Sequence, residues 1–193
     1  MPGDRQVRAR LVLIGAPGAG KTRLGKRVAR LLDTEFVDTD KLIVAEHGAI
    51  SDIFERHGEA HFRMLERDAV ARSLERTAVV ALGGGAVLDP DTQADLAGAR
   101  VVQLTVSPDA VEKRIGGAKR PLLRDGIAAW MQLVDSRRET YDRLASRTWD
   151  TSSGSIDDIA VEIADWVRQE LDAAQREHEE HEQQQHEQKE QSE

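Results

Sequence analysis

The sequence Gly15-Ala16-Pro17-Gly18-Ala19-Gly20-Lys21-Thr22 fits the pattern G-x-x-x-x-G-K-[S/T], which is typical of loops that bind nucleotide phosphates. An unbroken apolar run of strand length, Leu11 to Ile14, precedes it. Apolar residues at helical spacing follow it, at Leu24, Val28, Leu31 and Leu32. Strand, glycine loop and helix are the context that this pattern requires, and they argue against a chance match in an ordinary loop. The sequence therefore predicts that the chain binds ATP or GTP.

The residue types in this loop suit the binding of phosphate groups. Glycines let consecutive backbone N–H groups turn toward phosphate oxygens, and the positive end of the following helix dipole attracts the same anion. Lys21 can reach the β- and γ-phosphates, and the Thr22 hydroxyl can bind Mg²⁺.

The composition describes a polar chain that suits a single α/β domain. It has 193 residues, of which 39% are apolar and 32% are charged. No apolar run is long enough to span a bilayer, and the polar start does not resemble a signal peptide. The sequence contains no cysteine, which excludes disulfides and thiolate metal sites. These features predict a cytoplasmic protein without a membrane partner.

The net charge of −8 is concentrated at the carboxyl end. Residues 172–193 carry eight acidic and two basic residues, a net charge of −6, so the rest of the chain carries only −2. No basic patch is interleaved with aromatic residues, so nothing supports a nucleic-acid partner. Because no apolar side chain follows Ala174, the tail is predicted to be disordered or a frayed extension of the last helix.

Two acids end the second predicted strand, which runs from Glu35 to Asp40. Ligands collect at the carboxyl ends of parallel strands, and alternate strand residues share a face. Asp38 and Asp40 could therefore lie together, one near a metal and one near an acceptor hydroxyl. The alternative is that Asp40 only caps a helix beginning near Lys41, and taken alone the pair favours that alternative.

Residues 41–73 are predicted to be helical in pieces, separated at Gly48 and Gly58. In the last piece, Arg63 and Glu66 have the i, i+3 spacing of a surface ion pair. Such a pair is more often solvated than used to anchor a ligand.

The run Gly83-Gly84-Gly85 directly follows the next buried strand, Ala78 to Leu82. Its position favours the close approach of a ligand to bare backbone over a flexible turn. Farther along, a segment that begins at Gly116 and ends at Gly126 contains three basic residues, Lys119, Arg120 and Arg124. This composition suits a lid that closes over phosphates, and the alternative is an exposed linker.

Two more predicted strands, Arg100 to Val106 and Arg147 to Asp150, bring the number to five, alternating with helices. This alternation predicts a three-layer α/β sandwich, in which a five-stranded parallel sheet is covered by helices on both faces.

Five motifs in this order resemble the shikimate kinase family, in the superfamily of nucleoside monophosphate kinases. They are Gly15 to Thr22, Phe36-Val37-Asp38-Thr39-Asp40, Phe62-Arg63-Met64-Leu65-Glu66, Leu82-Gly83-Gly84-Gly85-Ala86-Val87 and Arg120-Pro121-Leu122-Leu123. The resemblance covers about Leu11 to Val167. It implies one P-loop kinase domain over 1–171, with substrate-binding helices at about 38–73 and a lid at about 114–126. The acidic tail, 172–193, lies outside it and is predicted to be disordered.

The resemblance implies transfer of the γ-phosphoryl group of ATP to the 3-hydroxyl of shikimate by a monomer that uses Mg²⁺. Lys21 would neutralise phosphate charge, Asp40 would be the base for the attacking hydroxyl, and Arg120 would close with the lid onto the transferring group. Asp38 would hold Mg²⁺ through water, next to Thr22.

The same resemblance implies two sets of binding residues. The ATP site would comprise Gly18, Ala19, Gly20, Lys21, Thr22, Arg23, Arg114 and Arg120. The shikimate site would comprise Asp40, Arg63, Gly84, Gly85 and Arg137, with Glu66 orienting Arg63 and with Ile50, Phe54 and Phe62 as an apolar wall. An Arg–carboxylate fork is the physical reason for arginine, rather than lysine, at position 63.

The chain departs from the family pattern at two places. The family usually has Arg-x-Pro-Leu-Tyr in the long helix, and here Arg137 to Tyr141 keeps the spacing without Pro-Leu, which makes Arg138 a rival of Arg137. The lid is also about one residue shorter than expected between Arg114 and Arg120, which bears on the role of Arg114 beside the adenine.

Three other functions compete with this one. The first is another small-molecule kinase of the same fold, such as one for gluconate or a nucleotide. The second is a regulatory GTPase, but the chain contains no asparagine and therefore lacks the Asn-Lys-x-Asp motif that usually reads guanine. The third is a relative that binds but does not catalyse, although every motif residue needed for catalysis is present.

Overall fold

The structure, a computed structural model, describes residues 8–115 and 126–190. Strands and helices alternate along these residues, and a 3₁₀ helix at Ala86–Leu88 follows the third strand. The elements are β1 (Leu11–Gly15), α1 (Lys21–Leu31), β2 (Glu35–Asp38), α2 (Thr39–His47), α3 (Ile50–Leu74), β3 (Ala78–Ala81), α4 (Pro90–Asp95), β4 (Val101–Thr105), α5 (Pro108–Ile115), α6 (Gly126–Leu144), β5 (Arg147–Asp150) and α7 (Ile156–Glu190).

The strands form one parallel sheet in the order β2-β3-β1-β4-β5. The central strand β1 pairs on both sides, with Val12 opposite Val80 of β3 and opposite Val101 of β4. All five of its residues are buried, as expected of a strand covered on both faces. The predicted five-stranded parallel sheet is confirmed.

Helices cover both faces of the sheet. Alternate side chains of β1 point to opposite faces, and both sets are apolar, so each face needs a covering layer. Leu11 and Leu13 pack in a core with apolar residues of α1 and α7. Val12 and Ile14 pack on the other face, with residues that include Val70 of α3. Helix α7 continues beyond Leu171, where its apolar stripe ends, to Glu190. The division of the chain at residue 171 stays a prediction.

The second strand is shorter than the sequence predicts, because β2 ends at Asp38 and α2 begins at Thr39. The Asp38 carboxylate accepts a hydrogen bond of 3.2 Å from the backbone N–H of Lys41, so Asp38 is the N-cap of α2. The interpretation of Asp40 as the cap is therefore wrong. A capping carboxylate reaches the N–H group two or three residues ahead of it, and Asp40 already lies within the first helical turn.

The break predicted at Gly58 lies inside α3, where this residue has φ 79° and ψ 174°. Within the described residues, none of the helices is both long and apolar enough to cross a membrane. The loops that follow β1 and β3, and the start of α2 directly after β2, all lie at the carboxyl edge of the sheet. The predicted lid between Arg114 and Gly126, with Lys119, Arg120 and Arg124, lies outside the described residues.

Candidate active site

The phosphate loop connects β1 to α1 and holds its lysine close to the backbone. The Lys21 ammonium donates to the carbonyl oxygens of Gly15 at 2.6 Å and Ala16 at 3.2 Å. Helix α1 begins at Lys21, so its first N–H groups point toward the loop. The loop thus presents a cation and a helix amino terminus on one side, the arrangement that a polyphosphate requires.

Oxygen ligands for a metal lie beside this loop. The Thr22 hydroxyl donates to the second carboxylate oxygen of Asp38 at 2.6 Å. Among the residues that the structure describes, no group of three or more His, Cys, Asp or Glu side chains could hold a metal ion. A hydroxyl and one carboxylate fit Mg²⁺, which keeps several waters and takes its remaining ligands from substrate phosphates.

Asp40 is positioned by the first turn of α2, beside the loop that follows β3. Burial raises the pKa of its carboxyl above the usual 3.8, and the negative charge of Asp38 raises it further. The positive charges of Lys21 and Arg63 act in the opposite direction on the same pKa. Asp40 therefore lies within the electrostatic reach of residues predicted for the nucleotide and for the acceptor. A carboxylate with a raised pKa suits a general base.

Arg63 is held by two acids of its own helix, α3. It donates to Glu66 at 2.6 Å and to Glu59 at 3.0 Å. The Glu66 side chain is only 5% exposed, and burial raises the pKa of its carboxyl although the pairing with Arg63 opposes this. The expectation of a solvated surface ion pair is wrong for Glu66, because the helix turns this carboxylate inward against the loop after β3.

The glycine run after β3, the triglycine loop (Gly83-Gly84-Gly85), is the point where these side chains meet. A Cβ atom on Gly83 would lie 2.5 Å from an Asp40 oxygen and 2.9 Å from a Glu66 oxygen. A Cβ atom on Gly85 would lie 2.5 Å from a nitrogen of Arg63. A side chain at Gly83 or Gly85 would therefore displace the Asp40 and Glu66 carboxylates or the Arg63 guanidinium.

The middle residue of the triglycine loop lies between the phosphate loop and α6. A Cβ atom on Gly84 would lie 3.3 Å from the Cδ of Pro17 and 3.5 Å from a nitrogen of Arg137. Arg137 thus lies beside the triglycine loop. The neighbouring Arg138 is exposed and pairs with Asp135 at 2.6 Å.

An apolar wall lies next to the ion pair of α3. The rings of Phe54 and Phe62 are 4.8 Å apart between centroids, and Ile50 packs against the cluster that contains Phe62. The Arg63 guanidinium lies 5.4 Å from the centre of the Phe62 ring. A ligand bound by Arg63 would therefore meet both charge and apolar surface.

The other side of the phosphate loop is joined to the loop after β5. Arg114 donates to the carbonyl oxygen of Gly18 at 3.4 Å and to the Thr151 hydroxyl at 3.3 Å. The Thr151 hydroxyl in turn lies 2.9 Å from the carbonyl oxygen of Ala19. Arg23 is exposed on the first turn of α1.

Sequence reasoning missed the role of Thr39, which lies between the two aspartates. Thr39 is fully buried, and its hydroxyl accepts from the N–H of Gly83 at 3.0 Å and donates to the carbonyl oxygen of Ala81 at 3.4 Å. It therefore fixes the start of the triglycine loop. A threonine between two polar residues at a strand end was the available signal.

The family model that matches this chain and the relatives named below belong to one family. The family model described as shikimate kinase matches residues 17–168. A shikimate kinase of Salinispora tropica is 51% identical over 158 residues, which cover 79% of this chain and 94% of the relative. One of Thermobifida fusca is 44% identical over 167 residues, which cover 84% of this chain and 95% of the relative.

A solved structure is also similar. The shikimate kinase of Acinetobacter baumannii in complex with shikimate has a TM-score of 0.78 and 32% identity, with 86% of this chain and 96% of that chain covered.

Proposed function

The chain belongs to the shikimate kinase family, and we propose that the side chains around its triglycine loop transfer the γ-phosphoryl group of ATP to the 3-hydroxyl of shikimate. Family membership makes the chain an ATP-dependent kinase that acts on shikimate. The products are shikimate 3-phosphate and ADP.

The contacts of the triglycine loop are the observation that carries this proposal. Pro17 of the phosphate loop lies against Gly84, and Asp40 and Arg63 lie against the neighbouring Gly83 and Gly85. A donor phosphate and an acceptor hydroxyl bound across three residues of bare backbone would lie next to each other. Proximity of this kind removes much of the entropic barrier to transfer.

The nucleotide end consists of Lys21 and the backbone N–H groups of Gly18 to Thr22, with Arg114 on the nucleoside side. In the proposal, the Lys21 ammonium exchanges its carbonyl partners for β- and γ-phosphate oxygens. Arg23 and Arg120 complete the predicted set for ATP. Arg120 would add positive charge to the transferring group, whose equatorial oxygens carry the charge of a loose transition state.

The metal end consists of Thr22 and Asp38, which would hold Mg²⁺ directly and through water respectively. When bound, Mg²⁺ neutralises charge on the β- and γ-phosphates. The hydrogen bond between the two side chains supports this assignment, because it puts a hydroxyl oxygen beside a carboxylate oxygen.

The acceptor end binds a carboxylate and orients a hydroxyl. Arg63 and Arg137 supply guanidinium groups for the carboxylate of shikimate, and the N–H groups of Gly84 and Gly85 supply neutral donors. Asp40 would accept hydrogen bonds from the ring hydroxyls and take the proton of the 3-hydroxyl. Its raised pKa supports the role of base, since a more basic carboxylate accepts a proton more readily.

A coupled ADP-release assay tests the reaction. Wild-type protein with ATP and Mg²⁺ should release ADP when shikimate is added, and much less with gluconate or AMP. Phosphorus NMR of the product should locate the new ester on the 3-hydroxyl. Lys21→Ala serves as the inactive control. Preference for gluconate or AMP would reject the assignment in favour of another small-molecule kinase of this fold.

The sequence also predicts a monomer in the cytoplasm with no nucleic-acid partner. These stay predictions, which light scattering, cell fractionation and a nucleic-acid binding assay would check.

A further inference from the structure

Helix α6 presents one continuous stripe of residues to the site. Trp130, Val134, Arg137 and Tyr141 are spaced i, i+4, i+7 and i+11, so they lie on the same face of the helix. Trp130 is 3% exposed and Tyr141 is 2% exposed. Both carry a polar hydrogen on an aromatic ring, and a buried polar hydrogen needs an acceptor. The two acceptors lie in the two loops that frame the site.

Trp130 contacts the phosphate loop. Its indole N–H donates to the carbonyl oxygen of Pro17 at 2.9 Å, and its ring packs in a small cluster with Ala16 and Val111. In a planar trans peptide, the carbonyl and the next N–H point in opposite directions. A donor that holds the Pro17 carbonyl on the side of α6 therefore turns the N–H of Gly18 away from α6. Gly18 is the first amide of the predicted phosphate cradle.

Tyr141 makes the equivalent contact with the triglycine loop. Its hydroxyl donates to the carbonyl oxygen of Gly84 at 2.6 Å. By the same peptide geometry, this contact fixes the direction of the N–H of Gly85, which is predicted to bind the acceptor. One face of α6 thus holds two peptide groups. The first carries the N–H of Gly18, which is predicted to bind the nucleotide, and the second carries the N–H of Gly85, which is predicted to bind the substrate.

We propose that Trp130 and Tyr141 are positioning residues: Trp130 orients the first amide of the phosphate loop, Tyr141 orients the substrate amide of the triglycine loop, and α6 fixes the spacing between the two. The inference rests on the proposed function. It assigns a role to Trp130, which lies outside the five motifs of the family resemblance.

The test removes one polar group at a time, and the Tyr141 hydroxyl interacts with Arg137 as well as with the Gly84 carbonyl. Trp130→Phe keeps an aromatic ring and deletes the indole N–H, and Tyr141→Phe deletes the hydroxyl. Trp166→Phe is the matched control, since Trp166 is 7% exposed and donates at 3.1 Å to Glu170 of its own helix, away from both loops. For each variant, kcat and the KM values for ATP and shikimate are measured well below its Tm.

The two ends of α6 should give opposite kinetic signatures. Trp130→Phe should raise the KM for ATP about five- to tenfold, the usual effect of one neutral hydrogen bond, and leave the KM for shikimate within about twofold. Tyr141→Phe should do the reverse. Trp166→Phe should change both KM values by less than about twofold. Equal rises in both KM values in Trp130→Phe, or effects equal to those of Trp166→Phe, would overturn the inference.

A second measurement does not depend on how well Trp130→Phe folds. In the double variant Trp149→Phe/Trp166→Phe, Trp130 is the only indole left, and its emission should change when ADP and Mg²⁺ fill the phosphate loop. An unchanged spectrum at saturating ADP would contradict the contact. If wild-type protein fails to phosphorylate shikimate, the proposed function fails. If it is active and only these signatures are missing, the inference about α6 fails alone.

Discussion

The Thr22 hydroxyl donates a hydrogen bond of 2.6 Å to the Asp38 carboxylate and so joins the start of α1 to the end of β2. The other oxygen of the same carboxylate caps α2 through the N–H of Lys41. Asp38 therefore combines a structural role with the proposed metal role. The two roles can be separated, because only the second requires a negative charge.

Asp38→Asn should separate them. Asparagine caps helices as well as aspartate does, so Tm should change little. Loss of the charge should raise the Mg²⁺ concentration needed for half-maximal activity roughly 10- to 100-fold, as is common when a residue that supports a metal through water is altered. A Mg²⁺ titration of the initial rate measures this.

Asp89→Asn is the control for that experiment, because Asp89 caps α4 in the same way, through the N–H of Thr92 at 2.8 Å. Its Mg²⁺ dependence should match that of the wild type. If Asp38→Asn behaves like Asp89→Asn, Asp38 is a helix cap only.

Asp40→Asn should abolish most activity and yet stabilise the fold. Burial raises the pKa of Asp40, so the ionised form opposes folding at pH values above that pKa, and the cost disappears below the unfolded value near 3.8. The variant should lose on the order of 100-fold or more in kcat. Denaturant unfolding should give it a larger free energy of unfolding than the wild type at pH 7, with a smaller difference near pH 4. Lower stability at pH 7 would contradict the argument.

The pH dependence of wild-type kcat/KM for shikimate should reflect the same carboxyl. This ratio reports groups of the free enzyme, and Asp40 must be ionised to accept a proton. Activity should therefore fall with decreasing pH through an acid limb that lies above the ordinary aspartate pKa. Initial rates between pH 4 and pH 9, with ATP well below its KM so that most of the enzyme is free, measure it. An acid limb at or below the ordinary aspartate value would argue against Asp40 as the base.

Arg63→Lys should raise the KM for shikimate about 10- to 100-fold, although the positive charge is kept. A lysine cannot pair with Glu66 and a ligand carboxylate through the planar fork that guanidinium provides. The KM for ATP should change far less. A matched rise of both values would indicate that the pair of Arg63 with Glu66 only stabilises the fold.

Arg137→Ala and Arg138→Ala form a matched pair of neighbouring residues. Arg137 lies against Gly84, whereas Arg138 is exposed and pairs with Asp135. The first variant should raise the KM for shikimate at least about tenfold, since a charged hydrogen bond to the shikimate carboxylate would be lost. The second should remain within about twofold of the wild type, since exposed pairs contribute little. The reverse ranking would assign the carboxylate contact to Arg138.

Motif order and strand ends gave most of the site before the structure, because residues that follow parallel strands must meet at one edge of the sheet. Asp38 and Gly84 were predicted in this way, whereas Arg63, which lies within α3, was predicted from its motif in the family resemblance. The role of Asp40 was harder to predict, because aspartate at this position could also cap a helix. The structure removed that alternative by showing that Asp38 is the cap.

The direction in which each side chain leaves a helix was also hard to predict from the sequence. Arg137 and Arg138 are adjacent in sequence and differ by about 100° around the helix axis, so only the packing of α6 decides between them. The spacing of Trp130, Arg137 and Tyr141 contained that information. The side chains of Trp130 and Tyr141 donate to backbone carbonyl oxygens of loops that are distant in the sequence. Every residue has a backbone carbonyl, so the sequence does not reveal which one accepts.

The crowding around Gly83 and Gly85 has a consequence for inhibitor design. A methyl group at either position would push aside the Asp40, Glu66 or Arg63 side chain, so a substitution there that weakens a compound bound to this main chain should also disturb the proposed site. Resistance would have to arise elsewhere, at side chains the compound also touches. Inhibitors that draw most of their affinity from these peptide groups should therefore lose potency more slowly under selection.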